Sequence, residues 1–377
     1  MVSRIELLQT NTARDVGFHR NYPGNFHKQG RLMQSKEQDQ PNGDIPIAET
    51  EELPPETLPK NFSVSIPDWE NDNESETRKF AEGMLYLTKD LSRYLDLSRL
   101  ESLVVACDYA KALADIDRGG SLPPARPTVN EYGQGKAMAV KVVRGNQIWS
   151  VVVIWAGLVR WLNEVDHPEY KRALQIFVHE LVHVDDLQLF MRTYPGGWQA
   201  AKPRDGRDAN LQPIVNPCQS EYSAQRRSAW AAPEYGLDLL EMLDKAMKDV
   251  ESQIRSARLR YRLHGDIKKF WSVVTERLVF LFQAIGYALG HADWVEENAD
   301  DYPELAVCYR TKLKELAEYS SGWMLAACRD AVQPFFYLDK WTGQEIYDPL
   351  IEVLERFLNQ NGIYTRTHGD GMYIDVP

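Results

Sequence analysis

Phe177-Val178-His179-Glu180-Leu181-Val182-His183-Val184-Asp185-Asp186 is the stretch around which the rest of this chain can be read. On a helix of 3.6 residues per turn, residues four apart stand one above the other. His179 and His183 can therefore present two imidazoles to a single ion, with Glu180 beside them. Zinc takes neutral imidazole nitrogens and, in catalytic sites, keeps one tetrahedral position for water. A neighbouring carboxylate can remove that water's proton. The order His-Glu-x-x-His thus packs two candidate ligands, His179 and His183, and a candidate general base, Glu180, into five residues. The flanking sequence reads as a helix over residues 169–191. Pro168 stands at its first turn, and Leu174, Phe177, Val178, Leu181 and Val182 give it a broad apolar face.

A third ligand has to come from elsewhere. Downstream, Pro217-Cys218-Gln219-Ser220-Glu221-Tyr222-Ser223-Ala224-Gln225-Arg226-Arg227-Ser228-Ala229-Trp230 carries Ser223, Ala224, Ser228 and Ala229 at helical spacing. Small residues in that pattern let one helix lie close against another. Closeness is what a short carboxylate needs to reach a metal held on the neighbouring helix. Glu221 is the best candidate, completing a His-His-Glu set used by catalytic zinc. Cys218 competes, but its thiolate would add charge to a site meant to polarise a carbonyl. Asp185 and Asp186 follow His183 too closely on the same helix, so they point away from its ion or touch only the ligands around it. One Zn2+ per chain is expected.

The run His179-Glu180-Leu181-Val182-His183, followed about forty residues later by Glu221 in a Glu-x-x-Ala context, resembles the zincin metallopeptidases, specifically the gluzincin branch with a glutamate as third ligand. The resemblance spans roughly residues 103–230. It implies a small mixed sheet, an active-site helix and a mostly helical half carrying the third ligand, with a protein or peptide as substrate. The Glu-x-x-Ala helix is also similar, more weakly, to the compact bacterial peptidases that cleave phage and stress repressors. Where the thermolysin-like group carries an aspartate four residues after the ligand glutamate, this chain has Gln225. Support for a ligand histidine must then come from elsewhere, with Asp185, Asp186 and Ser220 as candidates. The extended metzincin pattern is absent. Tyr222, Tyr235, His264 and His291 are candidates by residue type for the donor that such sites need for the tetrahedral oxyanion.

The chain as a whole accommodates this expectation. Its 377 residues, 44% hydrophobic and 11% aromatic, can bury a sizeable core. A net charge of -12 argues against general binding to nucleic-acid phosphates. Cys107, Cys218, Cys308 and Cys328 are widely spaced without a Cys-x-x-Cys, the pattern of reduced thiols in a cytoplasmic protein. The first residues lack the apolar stretch of a signal peptide, and the run 278–289, interrupted by Gln283, is too short to span a bilayer.

The expected fold class is α+β, in three regions. Residues 1–75, rich in Asn, Gln, Pro and Glu, read as a disordered or extended arm; His19 and His27 lie in it, and one hypothesis puts this arm in the catalytic cleft before activation. Residues 76–233 read as a zincin-like core: a helix over 76–97, a strand at 103–107, a short helix at 109–118, and a hairpin of 137–144 with 147–154 around Gly145-Asn146. A sheet edge beside the metal can hold an extended peptide by strand addition. Residues 193–217 read as a polar loop, a wall or lid of the cleft. Residues 234–377 read as helical, with a small mixed sheet left behind in the preceding region. They begin with a long helical hairpin turning at His264-Gly265-Asp266, continue with helices over 304–331 and 345–359, and close with a β-hairpin at 362–376. Arg255, Arg258, Arg260, Arg262, Lys268 and Lys269 cluster at the hairpin tip as solvated surface.

The chemistry expected of such a site is peptide hydrolysis, with Glu180 taking the proton of the zinc-activated water and passing it to the departing amine. Two other functions fit the same residues: a zinc-binding sensor or regulatory protein without turnover, and an interaction scaffold working through the helical hairpin.

Overall fold

The computed structural model describes residues 5–8, 53–69, 74–120, 122–130, 133–197, 200–338, 340–368 and 371–377. In chain order the elements of the first half are β1 (Ile5–Leu8), β2 (Ser63–Ile66), α1 (Glu74–Leu91), β3 (Leu100–Ala106), α2 (Tyr109–Asp115), β4 (Val129–Asn130), β5 (Gly133–Gln134), β6 (Ala137–Arg144), β7 (Gln147–Trp155), the single turn α3 (Ala156–Val159) and α4 (Tyr170–Thr193). The second half continues with α5 (Gly206–Ser228), α6 (Gly236–His264), α7 (Ile267–Glu297), α8 (Pro303–Ala317), α9 (Trp323–Tyr337), α10 (Asp348–Gln360), β8 (Tyr364–His368) and β9 (Gly371–Asp375). The fold is mixed α+β, a small mixed sheet followed by a mostly helical C-terminal half.

Five strands form the sheet in the order β1-β2-β3-β7-β6. The three inner strands are parallel, while β1 and β6 run antiparallel at the two edges. The inner position of β7 explains its unbroken apolar run: Val151, Val152, Val153 and Ile154 are all buried, as strands covered on both faces require. One face packs Val64, Leu103, Val105, Val152 and Ile154 on α1 and on the Leu174, Phe177, Val178, Leu181 and Val182 stripe of α4. The other face packs on α2. At the hairpin turn Gly145 adopts φ 60°, a left-handed conformation that a Cβ disfavours.

The outer edge of β6 borders α4. Trp155 N–H bonds to the Lys136 carbonyl, whereas Val143 N–H bonds to the Arg118 carbonyl outside the sheet. Even-numbered residues of β6 therefore pair with β7, and the odd-numbered Ala137, Ala139 and Lys141 turn their main-chain groups away from it.

Two boundaries differ from the sequence expectation. The arm does not extend to residue 75: Phe62, Val64 and Ile66 are fully buried and β2 lies inside the sheet. Four buried residues are too few to show a period. His19 and His27, and most of the region read as an arm, lie outside the described residues.

The polar loop expected over 193–217 is also shorter, because α5 begins at Gly206 and runs through Pro213 and Pro217. Asp205 caps it, accepting from Arg207 and Asp208 N–H, and Leu211, Ile214, Val215 and Cys218 are completely buried. Two internal prolines cost about 6 kcal/mol in propensity. Four buried apolar side chains return about 6–12 kcal/mol. Burial wins, and Arg204 and Arg207 fasten the helix start to Asp348 and Glu355 of α10.

The long hairpin is α6 with α7, turning at Gly265 with φ 69°. The helix expected over 304–331 is two, α8 and α9, separated near Gly322, where a Cβ would meet the Ala317 carbonyl at 2.3 Å. At the hairpin tip Arg258 and Arg262 reach the Pro377 carbonyl. Helix α7 is long and apolar enough to cross a membrane on those two counts alone, and it packs at the centre of the helical core with 56% of its most apolar window buried.

Candidate metal centre

Helix α4 supplies His179, Glu180 and His183, and α5 supplies Glu221. The two Nε2 atoms are 3.1 Å apart, and Glu221 Oε2 lies 3.1 Å from that of His179 and 3.4 Å from that of His183. Ligand bonds of 2.0–2.2 Å in tetrahedral geometry put donor atoms about 3.3 Å from one another. The triangle is the base of such a tetrahedron. Glu221 Oε2 is buried, with no hydrogen-bond donor in line on it among the described residues. Two imidazole nitrogens can share one proton, but a cation satisfies all three lone pairs together. His179, His183 and Glu221 can thus hold a metal ion.

Several contacts fix the donors. Ser220 Oγ stands 3.2 Å from His183 Nδ1, so of the residues named for ligand support it is Ser220 that reaches a histidine. Gln283 Nε2 donates to Glu221 Oε1 and to the Tyr287 hydroxyl, each at 2.9 Å. Both residues sit on α7, which approaches α5 through Gly286 and Gly290. A Cβ at Gly286 would stand 2.4 Å from the Cys218 carbonyl, and one at Gly290 2.3 Å from that of Tyr222. The small-residue face of α5 turns instead to α4, where Ser228 and Gln225 accept from Gln175. Gln225 is thereby occupied by Gln175 and His291, and His179 Nδ1 is buried without a partner among the described residues.

The electrostatics follow from burial and proximity. Burial pushes the Glu180 carboxyl above its usual range; the two histidines offset this in part, and the Ala139 N–H donates to it. Burial disfavours the His183 imidazolium, but Glu221 and Glu180 outweigh it and raise its pKa to about 9 while no metal is bound. Burial likewise opposes the Glu221 carboxylate, yet the imidazoles hold it well below the ordinary carboxylate range. Burial and the two nearby glutamates push the Tyr287 phenol up, so it is a protonated donor at neutral pH.

The other sequence candidates are dispersed. Tyr222 is buried on the far side of α5, donating to Asp293 at 2.6 Å and accepting from Arg226 at 2.5 Å. His291 is completely buried between the Gln225 amide and the Pro233 carbonyl. His264 ends α6 at the exposed hairpin tip. Asp185 accepts from the Asp96 N–H and pairs with Arg227. None of these four serves as oxyanion donor or ligand support: helical phase turns Tyr222, His291 and Asp185 to other partners, and His264 sits at the far end of α6. Asp186 and Tyr235 do line the cleft, Asp186 accepting from Ser223 and Arg227.

The site opens into a cleft of about 760 Å³ between β6, α4, α5 and α7. Tyr287, Gln283, Lys141 and Arg172 line it and escaped the sequence reading. The signal for the first two was present, since Gln283 and Tyr287 are polar positions four apart within the apolar run of α7, one helical face. No family model, curated protein or solved structure matches this chain.

Proposed function

We propose that this chain is a zinc-dependent peptidase of the zincin type, with His179, His183 and Glu221 as ligands and Glu180 as general base. The observation that carries this reading is the donor triangle of 3.1, 3.1 and 3.4 Å, with a buried carboxylate beside it and a cleft in front. Two imidazoles from a His-Glu-x-x-His helix and one carboxylate are a donor set that catalytic zinc uses. The adjoining sheet edge favours an extended polymer substrate over a small molecule.

Zinc, when bound, supplies a water acidified toward neutrality and a positive charge facing the scissile carbonyl. Glu180, its proton affinity raised by burial, accepts the proton of the attacking water and delivers it to the departing amine. In this reading the neutral hydroxyl of Tyr287, beside Glu221, donates to the developing oxyanion, in place of Tyr222, His264 and His291. Ala137 and the Ala139 carbonyl offer outward main-chain groups to align the peptide, the Ala139 N–H being held by Glu180. The reducing cytoplasm remains the proposed setting.

The test compares metal content and cleavage in wild type, His179→Ala and Glu180→Gln. The proposal expects one zinc per chain in wild type and Glu180→Gln, none in His179→Ala, and new peptide termini only with wild type. Stoichiometric zinc without any cleavage would turn the assignment to a regulatory zinc protein; absence of metal would turn it to a scaffold.

A further inference from the structure

We infer that the cleft selects peptides bearing a carboxylate side chain on each flank of the scissile bond, one held by Arg172 and the other by Lys141; this rests on the peptidase reading. The chain carries a net charge of -12, yet both open cations of the cleft belong to its floor and edge. Arg172 projects from α4 with its guanidinium over the Tyr235 ring, 4.8 Å from the centroid. Neither Arg172 nor Lys141 forms an ion pair with a described residue. A guanidinium engaged with an aromatic face still has N–H donors to offer a carboxylate. Lys141 leaves β6 on the same side as Ala137 and Ala139, with Nζ 5.8 Å from the Phe190 centroid. Burial lowers the Lys141 pKa, and the acid that partly offsets this, Asp186, already accepts from Ser223 and Arg227 through Oδ1. The remaining cleft carboxylates, Glu180 and Glu221, face the donor triangle.

The spacing makes the selection specific. Arg172 precedes His179 by seven residues on α4, about 10 Å along the axis. Lys141 follows Ala139, whose N–H meets Glu180, by two residues of β6, about 7 Å in the opposite direction. Phe190 beside Lys141 and Tyr235 beside Arg172 mark these opposite ends. The two cations thus lie on opposite sides of the donor triangle, several residues of extended peptide apart. A substrate matching both carries one acidic residue on each side of the scissile bond.

The experiment uses zinc-loaded Glu180→Gln protein and labelled peptides carrying Glu or Gln at the two flanking positions, with binding read by fluorescence anisotropy. The doubly acidic peptide should bind about tenfold more tightly than its amide counterpart at low salt, the difference shrinking at high salt. Adding Arg172→Gln should erase the preference at one position only, and Lys141→Gln at the other. Arg172→Glu should favour a lysine there. Equal binding of acidic and amide peptides, or a preference untouched by either substitution, overturns the inference. Wild-type turnover of the same peptides separates the two claims: cleavage without acidic preference leaves the peptidase and removes the selection, whereas acidic preference in binding without any cleavage does the reverse.

Discussion

Glu221 Oε2 lies 3.1 Å from His179 Nε2, although the two residues belong to different helices. The site is therefore a product of helix packing as much as of the His-Glu-x-x-His run. Replacing Glu221 by Ala should leave a two-imidazole site and lower zinc affinity by more than the roughly 10–100-fold that losing a ligand's hydrogen-bond partner costs. Chelator competition followed by elemental analysis checks it. Retention of wild-type affinity would remove Glu221 from the ligand set.

The packing of α5 on α7 is exposed to one methyl group. A Cβ at position 290 would stand 2.3 Å from the Tyr222 carbonyl, a backbone atom one residue from Glu221. Gly290→Ala should destabilise the protein by about 1–3 kcal/mol through overpacking. It should also weaken zinc binding as α5 is displaced. Urea midpoints and zinc titration on the same variant measure both effects. A substitution that lowers stability with unchanged zinc affinity would show that Glu221 follows α4 rather than α7.

How much of this was legible follows a physical line. The helix α4, the hairpin around Gly145, the α6–α7 hairpin and the β8–β9 closure all announce themselves through local periodicity or turn chemistry. The small-residue face pointing α5 toward α4 could be read too. Gln283 and Tyr287 stand out as polar positions four apart in an apolar run, but what they face depends on the approach of α7 to α5 at Gly286 and Gly290, a long-range event without local signature. Tyr222 and His291 were misassigned for the converse reason: residue type shows that a side chain can donate, and only helical phase shows where. Strand β2 hid because four buried residues carry no period, and α5 because prolines and polar residues masked its buried stripe.

Tyr287 accepts from Gln283 at 2.9 Å and bonds to Glu221 at the edge of the donor triangle. Removing one donor to a developing oxyanion typically costs 10²–10³-fold in kcat. Tyr287→Phe should therefore lower kcat by about 100-fold while leaving zinc content intact and KM little changed. Loss of zinc with loss of activity would instead assign the hydroxyl to holding Glu221.

In the metal-free site the His183 pKa is pushed up to about 9 from 6.5. At pH 7 His183 then carries a proton that an incoming cation must displace. Zinc binding should release about one proton per ion near neutrality and none well above pH 9, with affinity rising with pH below that point. The contribution of this raised pKa to metal-free stability is complete below 6.5 and is lost as pH rises through about 9. Calorimetry in two buffers of different ionisation enthalpy counts the protons. Binding without proton release at pH 7 would contradict the described electrostatics.

His291 titrates in the opposite sense. Burial, only partly offset by the Pro233 and Ala232 backbone, pushes its pKa down to about 4 from 6.5. The unfolded chain takes up a proton below 6.5 that the fold refuses until about 4, so stability should fall across that window and level off below it. The shift corresponds to about 3 kcal/mol. Glu221 does not compete there, because its depressed pKa postpones its own loss to more acidic pH. Urea unfolding of the metal-free protein at several pH values between 4 and 6.5 measures the slope. His291→Gln, which keeps a hydrogen-bonding side chain but cannot titrate, should flatten it; the same slope in the variant would place the acid sensitivity on another group.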